Sequence, residues 1–227
     1  PIGVPRALAK TAIPFRYNDI KSFEASVARY GDKAAAVVME PVRHYWPDKG
    51  YLESIREICR GRRIPLIFDE ITSGFRMRAG GIHALFGIEP DIAVFAKALG
   101  NGYPMAAILG RPKIMKAAQK AFISSTYWTD RIGPAAAIAS IKKHIRCNVS
   151  SHLIMIGTLV QEGWKKLARK HGLKIEVKGI PPLSHWELEM KNNAAFQTAL
   201  TKKMLKKGFL TSGSFYPTFA HTRKNVL

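Results

Sequence analysis

Apolar residues in the first 110 positions come mainly as short unbroken runs rather than in strict alternation. Residues 34–39 form one such run, closed by Glu40-Pro41, and this pattern predicts a strand buried on both faces. Residues 65–69 (Pro-Leu-Ile-Phe-Asp) and 92–96 (Ile-Ala-Val-Phe-Ala) read as two further strands, and 105–109 as another buried one after the Gly102-Tyr103-Pro104 turn. Between the first two, positions 51, 52, 55, 58 and 59 are apolar, which is one face of a helix, and Gly61 follows as its stop. Beyond residue 131 the pattern changes. An Ala-rich helix is predicted over 132–145, opened by Gly133-Pro134. A long amphipathic helix follows over 153–171, with Leu153, Ile156, Leu159, Val160, Trp164, Leu167 and Ala168 on one face. Strands over 173–177 and 184–190 and a helix over 194–207 complete an α+β module.

These elements predict an α/β domain over residues 1–148 with a mixed, mostly parallel sheet, and a small C-terminal α+β domain over 149–227. The boundary falls near Asn148-Val149-Ser150. A chain of 227 residues, 47% of them hydrophobic, suits one large domain or one and a half smaller ones. No apolar run reaches the roughly 18–20 residues of a membrane span, and the first residues lack the apolar stretch of a secretion signal. Cys59 and Cys147 are the only cysteines, with no CxxC pair and no Cys/His cluster. A reducing cytoplasm is therefore expected, with neither a disulfide framework nor a bound metal.

The net charge of +20 is the unusual bulk property. It would suit nucleic acid or an anionic surface if the basic residues were clustered. They are instead dispersed as Arg60-Gly61-Arg62-Arg63, Lys142-Lys143, Lys165-Lys166, Lys202-Lys203 and Lys206-Lys207, mostly at helical spacing beside apolar residues. That arrangement reads as solvated helix faces, and nucleic acid is not the expected partner.

Candidate chemistry concentrates at two strand ends. Asp69 closes the strand over 65–69, with Glu70 beside it. Lys97 follows the strand over 92–96, at 97 − 69 = 28 positions further on. An amine and a carboxylate at the C-terminal edges of two buried strands are what pyridoxal phosphate (PLP) chemistry needs. The amine holds the cofactor aldehyde as a Schiff base, and the carboxylate keeps the pyridine nitrogen protonated.

Three segments in this order, Val38-Met39-Glu40-Pro41-Val42, Phe68-Asp69-Glu70-Ile71-Thr72-Ser73-Gly74-Phe75-Arg76 and Phe95-Ala96-Lys97-Ala98, resemble the class III (ω-type) aminotransferases, over nearly the whole chain. Within these the chain is most similar to the glutamate-1-semialdehyde aminomutase branch. The resemblance implies PLP-dependent transferase fold type I, PLP as cofactor, and a homodimer with shared active sites. It also implies a small-molecule amino donor and a carbonyl acceptor. Lys97 then matches the Schiff-base lysine, Asp69 the aspartate on the pyridinium nitrogen, and Ile71 the apolar residue packed on the ring. Thr126 resembles the threonine that reaches the phosphate of the neighbouring subunit's cofactor. The segment Ser124-Ser125-Thr126-Tyr127-Trp128-Thr129 departs from the usual Gly-Thr-Phe-Gly-Gly-Asn-Pro, so Thr129 is a rival for that role.

Glu40 matches a glutamate near the active site in many relatives, or serves a structural hydrogen bond. His221 lies in a C-terminal segment that often helps bind substrate. Thr72 stands where many ω-aminotransferases carry Gln, which moves the reading toward the aminomutase-like branch. Arg43 and Arg76 are candidates for binding a substrate carboxylate, although exposure is the expectation for each. The glycine-containing turn for the cofactor phosphate is not found upstream of Ala34, so the expectation is a chain lacking the family's N-terminal part. A truncated, inactive family member acting as a binding or structural protein is the alternative.

Overall fold

The computed structural model describes residues 2–189 and 193–227. Helix α1 (Ile20–Tyr30) opens at Asp19, whose carboxylate accepts the Ser22 N–H at 2.9 Å, an N-cap that satisfies one orphan donor of the first turn. Strand β1 (Val37–Met39) leads into α2 (Tyr51–Gly61), then β2 (Leu66–Asp69), β3 (Ile92–Phe95) and β4 (Ala107–Gly110). These strands form one sheet in the order β1-β2-β3-β4, parallel except for the antiparallel β4. The predicted mixed, mostly parallel sheet is therefore the architecture observed.

Helix α2 buries Tyr51, Leu52, Ile55 and Cys59, four of the five positions in its predicted apolar face. These pack with Phe23 and Val27 of α1 and with Val37, Met39, Leu66 and Phe68 of the sheet to form the main core. Burial pushes the Cys59 thiol up to about 11, so the group is a neutral packing element. A second cluster joins Ala93, Phe95 and Leu99 to Ala137 on α4 (Ile132–Arg146), which follows the short α3 (Pro112–Met115).

Two strand expectations need correction. β1 is shorter than the apolar run, and Val38 is 60% exposed, so one of its faces is open. β4 was expected to be buried, yet Ile108 and Leu109 are each 59% exposed. The physical reason is position: β1 and β4 are the two edges of the sheet. Apolarity along a strand reports what the residues favour, not whether a neighbouring layer is present to cover them.

Helix α5 (Val149–Lys170) begins four residues before its expected start, after Asn148 at φ +45. It is followed by β5 (Ile175–Lys178), β6 (Ser184–Leu188), α6 (Asn193–Lys206), β7 (Ser214–Phe215) and the short α7 (Arg223–Val226). The expected strand over 184–190 ends at Leu188, and Met190 lies outside the described residues. The three late strands form a separate antiparallel sheet, β5-β6-β7. Of the predicted α5 face, Leu153, Ile156 and Ala168 are buried, whereas Leu167 is exposed. Gly157 lets α5 approach the 181–183 turn closely, because a Cβ there would lie 1.9 Å from the Pro181 carbonyl oxygen. The two parts of the chain meet through Val42, Ile82, Ile180 and Leu183, and through a Gly179 N–H bond to the His44 carbonyl at 2.9 Å. Lys142, Lys143, Lys166, Lys202, Lys203, Lys206 and Lys207 are exposed, as the helical spacing implied.

Asp91, at the head of β3, fixes the sheet's N-terminal edge. Its carboxylate accepts Arg56 Nη1 at 2.6 Å and the Leu66 N–H at 2.9 Å, with Arg111 Nε at 3.6 Å. Burial alone pushes this carboxyl's pKa up, but Arg56, the Leu66 N–H and Arg111 together hold it below the usual range. A depressed folded-state pKa contributes stability above the unfolded value near 3.9, and that contribution is lost as pH falls through the folded value. Asp91→Asn is thus expected to cost about 3 kcal/mol at pH 7, because Arg56 loses its buried partner. In urea unfolding, the gap between variant and wild type should narrow below roughly pH 4; a gap independent of pH would contradict the assignment.

Candidate active site

β2 and β3 run parallel with Asp69 opposite Val94, so their C-terminal ends open on the same edge. Lys97 stands three residues beyond that register point, two past the end of β3. Its backbone is left-handed, φ +48, a conformation that costs a non-glycine residue roughly 1 kcal/mol or more. The strain is held by an Asn101 N–H bond to the Lys97 carbonyl at 2.9 Å and by the 3-10 turn that Lys97 opens. The side chain is exposed, and Nζ donates to Thr72 Oγ1 at 2.8 Å.

Asp69 Oδ1 accepts the Ile71 N–H at 2.9 Å, an Asx-type turn at the end of β2 that leaves Oδ2 without a protein donor in this contact. Ile71 and Asp69 are half-buried, and Thr72 and Ser73 are buried.

The loop carrying these groups is anchored by Glu70, which is 1% exposed. Its Oε2 accepts Ser73 Oγ at 2.8 Å, and its Oε1 lies 2.9 Å from the His83 N–H and 2.7 Å from His83 Nδ1. Phe75 follows, also left-handed at φ +60, wedged edge-on against the Phe95 and His144 rings. Its carbonyl accepts His144 Nε2 at 2.9 Å. Gly74 must be glycine here: a Cβ would lie 2.7 Å from the Glu70 carbonyl oxygen and 2.9 Å from the Phe95 ring. Glu70, Ser73, His83 and His144 were not singled out from sequence as a set. Glu70 and Ser73 fall inside the segment that carries the family resemblance, but nothing in the sequence ties them to His83 and His144.

Glu40 follows β1 and accepts Arg43 Nη1 at 2.7 Å, which raises the Arg43 pKa, while burial opposes that rise. Both residues line an open cavity of about 400 Å³ with Phe15, Tyr17, Met39 and His44. Arg43 and Arg76 were expected to be exposed, but each is half-buried. Both guanidinia feel the Tyr216 phenol, and Arg43 also feels the Asp69 carboxylate, so these groups share one region. Tyr216, in the C-terminal segment, lies within electrostatic range of both guanidinia. His221 instead serves its own loop: Nδ1 accepts the Thr218 N–H at 3.0 Å, and its carbonyl accepts His152 Nε2 at 2.8 Å. Thr126 and Thr129 lie in an exposed turn after α3, with no contact to Lys97 or Asp69 among the described residues.

The arrangement suits PLP at two points. Among the described residues the Lys97 amine has no carboxylate partner that would hold it as a salt bridge, and Asp69 keeps one oxygen for a protonated ring nitrogen.

The fold is that of PLP-dependent transaminases of known structure. The PLP internal aldimine form of the Sphingopyxis sp. MTA144 FumI protein superimposes with TM-score 0.88 at 25% identity, over 94% of this chain and 54% of that one. Residues 4–221 match the family profile of the class-III aminotransferases, and the chain belongs to that family. It is 34% identical to the 3-aminobutyryl-CoA aminotransferase of Cloacimonas acidaminovorans, over 79% of this chain and 45% of that protein. It is 30% identical to the glutamate-1-semialdehyde 2,1-aminomutase of Sulfurihydrogenibium azorense, over 99% and 57% respectively. The chain therefore spans about half the length of the curated relatives it matches.

Proposed function

We propose that this chain carries out PLP-dependent amino-group transfer between a small-molecule amino donor and a carbonyl acceptor. The observation that carries the reading is the pair Lys97 and Asp69 at the C-terminal ends of neighbouring parallel strands. Class-III membership supports it, and an intact pair favours an enzyme over an inactive binding protein.

PLP, when bound, supplies an electron sink that acidifies the C–H bond beside the substrate nitrogen. Lys97 would be the covalent attachment point for the cofactor, and its Nζ would be the base that takes and returns that proton. The Thr72 hydroxyl fixes where Nζ rests between these roles. Asp69 would keep a proton on the ring nitrogen, because a carboxylate beside a cationic N–H favours its charged form. Ile71 supplies an apolar contact to the ring, and Thr126 or Thr129 a phosphate contact to the cofactor of a second subunit in a homodimer. Glu40 supports the substrate region directly, and His221 does so only by holding the C-terminal loop through Thr218. The protein acts in the cytoplasm without nucleic acid as partner; among the described residues no helix is long and apolar enough to cross a membrane.

Two forms of the reaction fit this pair: transfer between two substrates, and an aminomutase exchange on one skeleton. The side chain at Thr72 leans toward the second. Incubation of the PLP-loaded polypeptide with ¹⁵N-alanine and a 2-oxo acid tests the first form, and incubation with glutamate-1-semialdehyde alone tests the second. Movement of nitrogen in either mixture is the expected result, and none in both would refute the proposal.

A further inference from the structure

The end of α6 carries an uncompensated positive charge. Lys202, Lys203 and Lys206 lie in its last turns and Lys207 just after it, all of them exposed. None joins an ion pair among the described residues, and the sequence holds no Asp or Glu after Glu189. Cations near a helix C-terminus complement its carbonyls, and that alone would make this a solvated helix end. The apolar residues set among the lysines do not fit a solvated end. Leu205 is 51% exposed, Phe209 53% and Leu210 91%.

Both sets of side chains share one tip. Helical spacing puts Lys202 and Lys203 on the face of Lys206. The helix then stops at Gly208, φ +83, where the Gly208 N–H donates to the Leu205 carbonyl at 2.9 Å and the Phe209 N–H to the Met204 carbonyl at 3.0 Å. This closing turn ties Phe209 to the last helical turn, with Leu210 next in the chain. We propose that the tip docks on an anionic phospholipid surface, with its lysines on the headgroups and Leu205, Phe209 and Leu210 entering the acyl boundary. Such a surface satisfies both sets at once, whereas water satisfies only the lysines. Nucleic acid fits less well, because stacking rings and arginine forks carry that recognition. The segment 202–210 has one ring and no arginine. It also holds none of the residues placed at the PLP site, so docking and amino-group transfer are separable.

Co-sedimentation with vesicles tests this. The polypeptide should pellet with vesicles of equal parts phosphatidylserine and phosphatidylcholine, stay in solution with phosphatidylcholine alone, and be released by high salt. A variant carrying Lys202→Gln, Lys203→Gln, Lys206→Gln and Lys207→Gln should bind the mixed vesicles roughly a hundredfold more weakly. Phe209→Ser combined with Leu210→Ser should weaken binding about tenfold. All these side chains are exposed, so the urea midpoint should stay at the wild-type value. If Phe209→Ser shifts it, Leu210→Ser alone carries the apolar arm. A wild type that does not pellet with the mixed vesicles would overturn the proposal, as would unchanged binding in either variant. Two other occupants would also overturn it. One is single-stranded RNA, if it binds more tightly than the vesicles and is lost with the lysines. The other is a second copy of the chain, if lipid-free sedimentation velocity shows a dimer that Leu210→Ser dissociates.

Discussion

Lys97→Ala is expected to abolish the visible absorption of PLP-loaded protein and to lower amino-group transfer by several powers of ten. Both losses share one cause, since the same Nζ attaches the cofactor and moves the substrate proton. The fold should survive. The side chain is exposed and its hydrogen bond to Thr72 Oγ1 is solvent-accessible on the lysine side, so unfolding in urea should shift by less than about 1 kcal/mol. Lys97→Gly sharpens the comparison. The left-handed backbone at φ +48 costs lysine roughly 1–2 kcal/mol, whereas glycine pays no such strain and loses about 0.4–1 kcal/mol through unfolded-chain entropy. A variant at least as stable as wild type, yet without attached PLP, would mean that the strained lysine is kept for chemistry. An unchanged absorption band in Lys97→Ala would contradict the assignment.

Asp69→Asn has the second-largest expected effect. Asparagine keeps an oxygen for the Ile71 N–H, so the turn at the end of β2 is preserved and PLP should still attach at Lys97. The amide cannot stabilise a positive N–H as a carboxylate does, and turnover should fall by about 10³-fold. Measured under single-turnover conditions, the loss should lie in proton removal from substrate carbon and show as a larger deuterium effect at that carbon. Turnover near wild type would count against Asp69 as the ring-nitrogen partner.

How much of this was legible in the chain depends on the range of each interaction. Strands β2 and β3 and helix α2 follow from apolar runs and spacing, because the structure does cover the positions that this local pattern marks as apolar. Helix α1 shows only Phe23 and Val27 as buried positions, and this sparse stripe gives little periodicity to read. The open faces at Val38 and Ile108 depend on sheet order, which periodicity does not encode. At the site, Asp69 and Lys97 announce themselves at strand ends, whereas the clamp that holds their loop does not. Glu70 reaches Ser73 nearby but His83 thirteen residues on, and Thr72 meets Lys97 across twenty-five. Thr72 was noticed only for the glutamine it replaces, although its hydroxyl and carbonyl connect the amine to Arg76. Arg76 itself was expected to be exposed because arginine usually is, but it is half-buried with its Nε near the Thr72 carbonyl.

The most direct test is to trap the cofactor on the wild-type polypeptide with borohydride, digest it, and locate the pyridoxyl group by mass spectrometry. One pyridoxyl group per chain on Lys97, absent from Lys97→Ala, is the result predicted here. A label spread over the exposed lysines of α4 and α6, with Lys97 unmodified, would contradict it.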